Sequence, residues 1–196
     1  MAEKPKSKVV DKWKTKTWYS VLAPEMFESK EIAQVPADED SKLADRKISV
    51  SLAEITGDRM HTYTNLHFRV SEVKGKTAFT KLIGHDLSPS YLRSLVRRKR
   101  DVINDVLDVT TSDGVGVRVK ISIYTARKTS GPARTAVRRV MREEIIARSK
   151  EMDFSTFVQE IVFGKFSSRI YKGVKKIIPV KRIEVRKTEV RETFAA

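Results

Sequence analysis

The strongest constraint on the fold is a strict alternation in the middle of the chain. Branched apolar residues occupy every second position from Val115 to Ile123, separated by glycine, arginine, lysine and serine. Successive side chains of a strand point to opposite faces, so this period of two predicts a β-strand with one buried face. Such a strand needs partners, so the pattern indicates a β-rich domain.

Weaker strand patterns surround this segment, and short turns separate them. The additional predicted strands lie at residues 18–22, 46–56, 66–70, 79–83 and 102–111. Glycine-containing turns at Lys74–Lys76 and Ser112–Gly114 join neighbouring runs. Short turns favour a mainly antiparallel sheet, and closure as a barrel-like core would remove its exposed edges.

Four helices are predicted between and after the strands, which makes the fold class α+β. The first begins at Ser88-Pro89, and the second runs from Ser130 to about Lys150. The third runs from Asp153 to Gly164, and the fourth runs from about Ser168 to Ile177. In the first helix, Arg93, Arg97 and Arg100 would share one face. The predicted organisation is a basic N-terminal arm (1–17), one globular domain (18–178) that is β-rich to 126 and helical from 127, and a basic C-terminal strand or tail (179–196).

The charge of the chain narrows the classes of partner. The 196 residues include 40 Lys and Arg against 25 Asp and Glu, a formal net charge of +15. A field this positive attracts polyanions, nucleic acid first and an anionic membrane surface second. The chain has no cysteine, which excludes a disulfide framework, a cysteine zinc site and a thiol nucleophile. No apolar run is long enough to span a membrane. With nucleic acid as the leading candidate, no membrane is predicted as a partner.

The excess charge is concentrated at the two ends. Residues 1–19 carry six basic and two acidic groups, and residues 164–196 carry ten and three. Residues 20–58 carry four basic and nine acidic groups instead. We therefore expect the acidic segment 25–45 to avoid RNA and to face a basic protein neighbour.

Clusters of cations identify the candidate RNA contacts. Four consecutive positive charges occupy 97–100, and an Arg-Lys pair at 127–128 precedes a helix start that could receive a phosphate. Arginines at 134, 138 and 142 recur at helical spacing, where bidentate phosphate contacts are available. The predicted contacts are Lys14, Lys16, Arg97, Arg98, Arg100, Arg127, Lys128, Arg134, Arg138, Lys172, Lys175 and Lys176.

Catalytic and metal-binding patterns are absent or explained more simply. The spacing of His61, His67 and His85 matches no common ligand motif. A magnesium cluster could be drawn from Asp101, Asp105, Asp108, Glu143 and Glu144. Local balance of the neighbouring arginines explains these carboxylates better, so no catalytic residue, metal or cofactor is predicted.

Seven short sequence segments, in the same order along the chain, resemble those of one protein family. They are Lys8–Asp11, Trp18–Pro24, Val50–Glu54, Gly84–Leu87, Asp108–Gly114, Arg127–Ser130, and Ile177–Val180 with Val185–Lys187. The chain thereby resembles the small-subunit ribosomal protein family called S-three-A, or e-S-one, and its end at Ala196 suits the archaeal type.

The resemblance implies a barrel-like β core with flanking helices, in a cytoplasmic ribosome. It implies a place on the platform of the small subunit, near the 3′ end of the rRNA and the mRNA exit. Neighbouring small-subunit proteins, mRNA and initiation factors are the implied contacts. The predicted function is therefore a structural rRNA-binding protein. A free RNA-binding translation regulator or RNA chaperone, and a magnesium-dependent nuclease, remain as alternatives.

Overall fold

Strands and helices follow one another closely along the chain. The computed structural model describes residues 13–14 and 16–191; most of the predicted N-terminal arm and residues 192–196 lie outside the described residues. The strands are β1 Thr17–Leu22, β2 Glu31–Ala37, β3 Lys47–Ser51, β4 Thr64–Lys74, β5 Thr77–Leu87, β6 Val102–Thr110, β7 Gly116–Thr125 and β8 Val180–Val190. The α-helices are α1 Leu52–Thr56, α2 Pro89–Leu95, α3 Gly131–Glu151, α4 Phe154–Val162 and α5 Lys165–Val174.

Strand β5 is the branch point of a single eight-stranded sheet. Its whole length pairs antiparallel with β4, which in turn pairs with β3. Its other edge is divided: Thr77–Phe79 pair in parallel with β1, and Gly84–Asp86 pair antiparallel with β8. Strand β2 extends the sheet beyond β1, and β7 and β6 extend it beyond β8. The α+β class and the mainly antiparallel pairing are thus confirmed.

Closure of the sheet into a barrel is not confirmed. Within the described residues the sheet is open, and β2, β3 and β6 form the ends of its branches. Because β5 shares one edge between β1 and β8, the sheet splits into wings instead of returning on itself. At the β6 edge, a helix takes the place of a neighbouring strand. Helix α3 lies along β6, and its side chains donate hydrogen bonds to that strand. A covering helix protects an edge strand as closure would.

One core lies between the β6–β7–β8 wing and the last three helices. The alternating apolar residues predicted as a strand are buried along β7, from Val117 to Ile123. Val137, Met141 and Ile145 of α3 pack in the same cluster, as expected from their helical spacing. Helices α4 and α5 meet through Phe157 and Phe166, whose ring centroids lie 5.8 Å apart.

Helix α4 joins this core to a second one. While Phe157 and Ile161 pack in the first cluster, Val158 and Val162 pack against the β3–β4–β5 wing. Phe68 of β4 is fully buried there, with its ring centroid 6.0 Å from that of Phe27. The two wings therefore share one helix, which holds them as a single unit.

Three sequence predictions are corrected by the structure. The first helix ends at Leu95, so Arg97 and Arg100 lie beyond it and the predicted arginine face does not form. Like charges at these spacings repel one another in a helix, and α2 buries none of its residues to offset that repulsion. The strand predicted to 56 ends at Ser51, whose hydroxyl accepts from the amide of Ala53 and begins α1. The last helix begins at Lys165, earlier than predicted.

Candidate nucleic-acid interface

Antiparallel pairing brings three separate basic segments to one edge of the sheet. The amide of Thr125 at the end of β7 donates to the carbonyl of Asp101, just before β6, at 3.0 Å. The amide of Ala126 donates to the carbonyl of Pro179, just before β8, at 2.9 Å. The start of β6, the end of β7 and the start of β8 therefore lie side by side. The cations that these segments carry form what we call the basic edge: Arg97, Arg98, Lys99, Arg100, Arg127, Lys128, Lys175, Lys176, Lys181 and Arg182.

Few carboxylates lie along the basic edge, and the one that pairs with it, Glu184, already has partners within the protein. Across the described residues, no ion pair joins a carboxylate to any of these cations except Arg182. The carboxylate of Glu184 accepts from Nε of Arg182 at 2.6 Å and from the hydroxyl of Tyr91 at 2.9 Å. The other cations of the basic edge are exposed and thus available to an external anion, apart from Arg100, which is half-buried.

Asp101 holds the start of α3 and the residues just before it through hydrogen bonds. Its carboxylate accepts from the amide of Thr129 at 2.8 Å, from the Thr129 hydroxyl at 3.0 Å, and from Arg134 at 2.8 Å. These contacts, led by the hydrogen bond from the Thr129 amide, hold the pKa of Asp101 below its ordinary value. Arg134, a predicted RNA contact, is therefore partly engaged within the protein.

The rest of the arginine stripe on α3 also faces β6. Arg138 donates to the carbonyl of Asn104, and Arg142 makes two hydrogen bonds to the Asp105 carboxylate at 2.7 and 2.8 Å. The side chain of Asp105 is only 8% exposed. The stripe thus attaches α3 to the sheet edge, a role that sequence spacing alone did not reveal.

Other predicted contacts lie apart from the basic edge or beside it. Lys14 and Lys16 precede β1, which pairs with the opposite end of β5, and the ammonium of Lys16 lies 4.6 Å from the ring centroid of Trp13. The structure does not bring these two lysines to the basic edge. Lys172 lies on α5, one turn before Lys175, and lines a cleft beside the edge.

Four of the five carboxylates considered for a magnesium site each have an arginine partner. Asp101 and Asp105 bind α3 as described, while Asp108 accepts from Arg118 at 2.8 Å and also pairs with Arg191. The hydrogen bond from Arg118 is the main reason that the pKa of Asp108 lies below its ordinary value. In the part of the chain that the structure describes, no three His, Cys, Asp or Glu residues are grouped to hold a metal ion.

Two histidines have structural partners. His85 is buried, with Nδ1 at 2.7 Å from the Thr188 hydroxyl and Nε2 at 3.2 Å from the Val185 carbonyl. Burial is the main cause that lowers its pKa from 6.5 to about 4, so the ring is neutral. Nε2 of His67 lies 2.9 Å from the carboxylate of Asp86.

The sequence prediction missed two cations, Lys181 and Arg182, and the aromatic residues beside them. Tyr63 and Tyr91 stack with centroids 4.0 Å apart, and the guanidinium of Arg182 lies 5.9 Å from the Tyr91 ring centroid. The basic composition of 180–190 was the available signal. It did not show that this strand lies inside the sheet, between β5 and β7.

The sequence matches one protein family over nearly its whole length. The sequence model of the ribosomal S3Ae family matches residues 4–193. This chain belongs to the ribosomal S3Ae family. This membership confirms the resemblance that the seven short sequence segments indicated. Because the family consists of ribosomal proteins, it also confirms the prediction that the chain is not an enzyme.

Similar curated S3Ae-family proteins come from archaea. The chain is 40% identical over 193 residues to the small ribosomal subunit protein eS1 of Archaeoglobus fulgidus, covering 97% of this chain and 92% of that protein. It is 39% identical over 182 residues to eS1 of Saccharolobus islandicus, covering 93% and 88%. The corresponding identity to eS1 of Saccharolobus solfataricus is 38%. None of the described helices combines the length and apolarity needed to cross a membrane.

Proposed function

We propose that this chain is a structural component of the small ribosomal subunit that binds rRNA through its basic edge. The observation that carries the proposal is the convergence of the segments 97–100, 126–128 and 175–182, whose cations, apart from Arg182, have no carboxylate partner among the described residues. The alignment of β6, β7 and β8 holds the segments that carry these cations next to one another. Segments with set positions suit a polyanion better than a flexible tail would, because less backbone freedom is lost on binding.

The mechanism is electrostatic and positional. Each lysine or arginine that meets a phosphate releases condensed counterions, which favours binding at low salt. Phosphate contacts set position and register without reading sequence. Recognition would rest on the shape of the RNA backbone and on unpaired segments, because the major groove of A-form RNA is too narrow for side chains.

The proposed setting follows from the family. The chain would lie on the platform near the 3′ end of the rRNA and the mRNA exit, in the cytoplasm, with neighbouring small-subunit proteins, mRNA and initiation factors within reach. The acidic segment 25–45 includes β2, an edge strand of the sheet. Its carboxylates and its open edge suit a basic protein neighbour rather than RNA.

A charge-matched pair of variants tests the basic edge. One variant replaces two arginines and two lysines of the edge by glutamine: Arg97, Arg98, Lys128 and Lys176. The control replaces two exposed arginines and two exposed lysines elsewhere: Arg46, Arg139, Lys81 and Lys150. Both variants lose the same net charge, so only the location of the charge differs.

Binding of rRNA fragments is measured over a range of salt concentrations. We expect the edge variant to flatten the log–log salt slope by roughly 3, since each lost phosphate contact removes about 0.7 to 0.9. The control variant should change the slope by less than about 1. Equal losses in the two variants would show that net charge, and not the basic edge, drives binding.

Sedimentation distinguishes the remaining alternative. In a sucrose gradient of cell extract at moderate salt, a structural component migrates with the small subunit. A free RNA-binding regulator or RNA chaperone stays near the top of the gradient. A chain found mainly at the top would contradict the ribosomal proposal even if it binds RNA.

A further inference from the structure

A cleft of about 680 Å³ opens beside the basic edge. One wall is the first half of β8, and the other is formed by the end of α4 and by α5. Ligand pockets typically span about 300 to 1,000 Å³, so this cleft suits a single compact group and not a duplex.

The charge of the cleft favours an anion. Lys172 on α5 and Lys175 directly after it line one wall, and Lys181 and Arg182 on β8 line the other. Among the described residues that line it, Glu184 is the one carboxylate, and it already accepts from Arg182 and from a tyrosine hydroxyl. The cleft therefore has a strong positive excess where it meets the basic edge.

Aromatic rings at the mouth favour a flat partner. Phe163, directly after α4, is 43% exposed, although the four apolar residues from Phe157 to Val162 before it are buried. The ring of His61 meets it edge to face, with centroids 6.1 Å apart. This contact holds the Phe163 ring in place, and Tyr63 and Tyr171 line the same cleft.

The floor of the cleft is neutral and rigid. His85 lies there with both ring nitrogens occupied by Thr188 and Val185, as described above. A floor of this kind does not compete with the walls for a phosphate. The lysines can bind an anionic group, and the Phe163 ring can stack on a flat one. A nucleotide has both, since its phosphate is anionic and its base is flat.

We propose that this cleft binds one unpaired nucleotide of single-stranded RNA, with its base stacked on Phe163 and its phosphate on Lys172, Lys175 and Lys181. The inference rests on the proposed function, since the strand that supplies the nucleotide would continue onto the basic edge. Continuity between the cleft and the edge runs through Lys175, which lines this cleft and also the neighbouring hollow beside Arg127. Single strands are the forms of RNA whose bases are available for such stacking.

The test uses the full chain and a single-stranded RNA of about eight nucleotides, a length within the usual site sizes. The RNA carries one 2-aminopurine, whose fluorescence reports stacking. Phe163→Ala is compared with Phe79→Ala, because Phe79 is a similarly exposed aromatic, 39%, that also has a lysine near its ring. Phe79 lies at the opposite end of β5, away from the cleft.

We expect Phe163→Ala to weaken binding by about fivefold to a hundredfold, the range typical of base–aromatic stacking, and to abolish the fluorescence change. Phe79→Ala should stay within about twofold of the wild type. Replacing the 2-aminopurine by an abasic site should weaken the wild type and leave Phe163→Ala unchanged, because the base and the ring act as a pair.

Three outcomes would overturn the inference. The first is a loss in Phe163→Ala no larger than in Phe79→Ala. The second is an equal loss on RNA with and without the base. The third is binding of adenosine monophosphate as tight as binding of the RNA, which would indicate a site for a free nucleotide. If rRNA binding still depends on the basic edge in these cases, the proposed function stands and the cleft assignment alone fails.

Discussion

Gly84 is the point at which a single added methyl group should separate the two wings of the sheet. Strands β5 and β8 pair through three residues only, Gly84–Asp86 with Lys187–Glu189. A Cβ atom at position 84 would lie 2.0 Å from the carbonyl oxygen of Thr188 and 2.9 Å from its carbonyl carbon. Both are backbone atoms, which cannot rotate away. Gly84→Ala must therefore push β8 away from β5.

The size of the effect follows from what this displacement breaks. Carbon and oxygen atoms approach to about 3.3 Å at closest, so β8 must move by more than about 1 Å. That movement disrupts the hydrogen bonds of His85 to the Thr188 hydroxyl, which are 3.1 Å from the amide and 2.7 Å from Nδ1. Each broken bond costs about 1 kcal/mol, and buried groups left unpaired add about 1 to 3 kcal/mol. We expect a total loss of about 3 to 5 kcal/mol.

Thermal and urea unfolding followed by circular dichroism measure this loss. For a chain of this size, about 3 kcal/mol corresponds to a fall in Tm of roughly 6 to 12 °C. Gly116→Ala is the matched control, because a Cβ there would meet only the Arg191 side chain, at an ordinary 3.5 Å. The control should be neutral or slightly stabilising. If Gly84→Ala unfolds within about 1 kcal/mol of the wild type, β5 and β8 do not pair as described.

Three further predictions concern charged and titratable groups. Burial lowers the pKa of His85 from 6.5 to about 4. The unfolded chain therefore takes up this proton first, and the free energy of unfolding should fall by about 3 kcal/mol between pH 6.5 and 4; urea unfolding should show a flatter profile in His85→Gln, and parallel profiles would contradict this. Asp105→Asn should lower Tm by several degrees, whereas Glu143→Gln, at an exposed pair, should hardly change it; equal effects would show that the Asp105–Arg142 pair does not anchor α3. Asp101→Asn should lower the protection of the Thr129 amide against hydrogen exchange, because this amide loses its carboxylate acceptor; the protection of the same amide, relative to its intrinsic exchange rate at each pH, should also fall in the wild type once pH falls through the lowered pKa of Asp101.

Sequence patterns predicted the elements whose burial is regular. Strand β7 alternates without interruption because the apolar residues on one of its faces all belong to a single core cluster, and α3 repeats its buried residues at helical spacing because they pack in the same cluster. The helix starts near Ser130 and Asp153 were also predictable from local residues. In each case the information lies within one short segment.

Elements that depend on distant pairing were harder to predict. Strand β8 buries Val180, Ile183, Val185 and Thr188, a spacing that departs from two. The departures coincide with shifts in its register against β7. Strand β2 was not predicted at all, because Glu31–Ala37 forms an edge strand with mostly exposed or half-buried residues and a proline. Barrel closure failed for a related reason, since the division of β5 between β1 and β8 is invisible in local sequence.

The candidate interface was predictable in composition and unpredictable in arrangement. The sequence shows that 97–100, 127–128 and 172–176 are basic, but only the pairing of β6, β7 and β8 places them together. It likewise could not show that Arg134 meets Asp101 from 33 positions away, or that Arg142 meets Asp105 from 37.

These pairings separate the basic residues into two groups, those that bond within the protein and those of the basic edge. Arg134, Arg138 and Arg142 point toward β6 along the protein surface, where Asp101, the Asn104 carbonyl and Asp105 accept their hydrogen bonds and attach α3 to β6. Cations of the basic edge lie at the ends of the strands that this attachment steadies. Under the proposed function, a polyanion would meet segments whose relative positions were set during folding, so little ordering of the backbone would remain to oppose binding. Ion pairs within the protein would then support the proposed RNA binding indirectly, by holding the strands whose ends carry the basic edge.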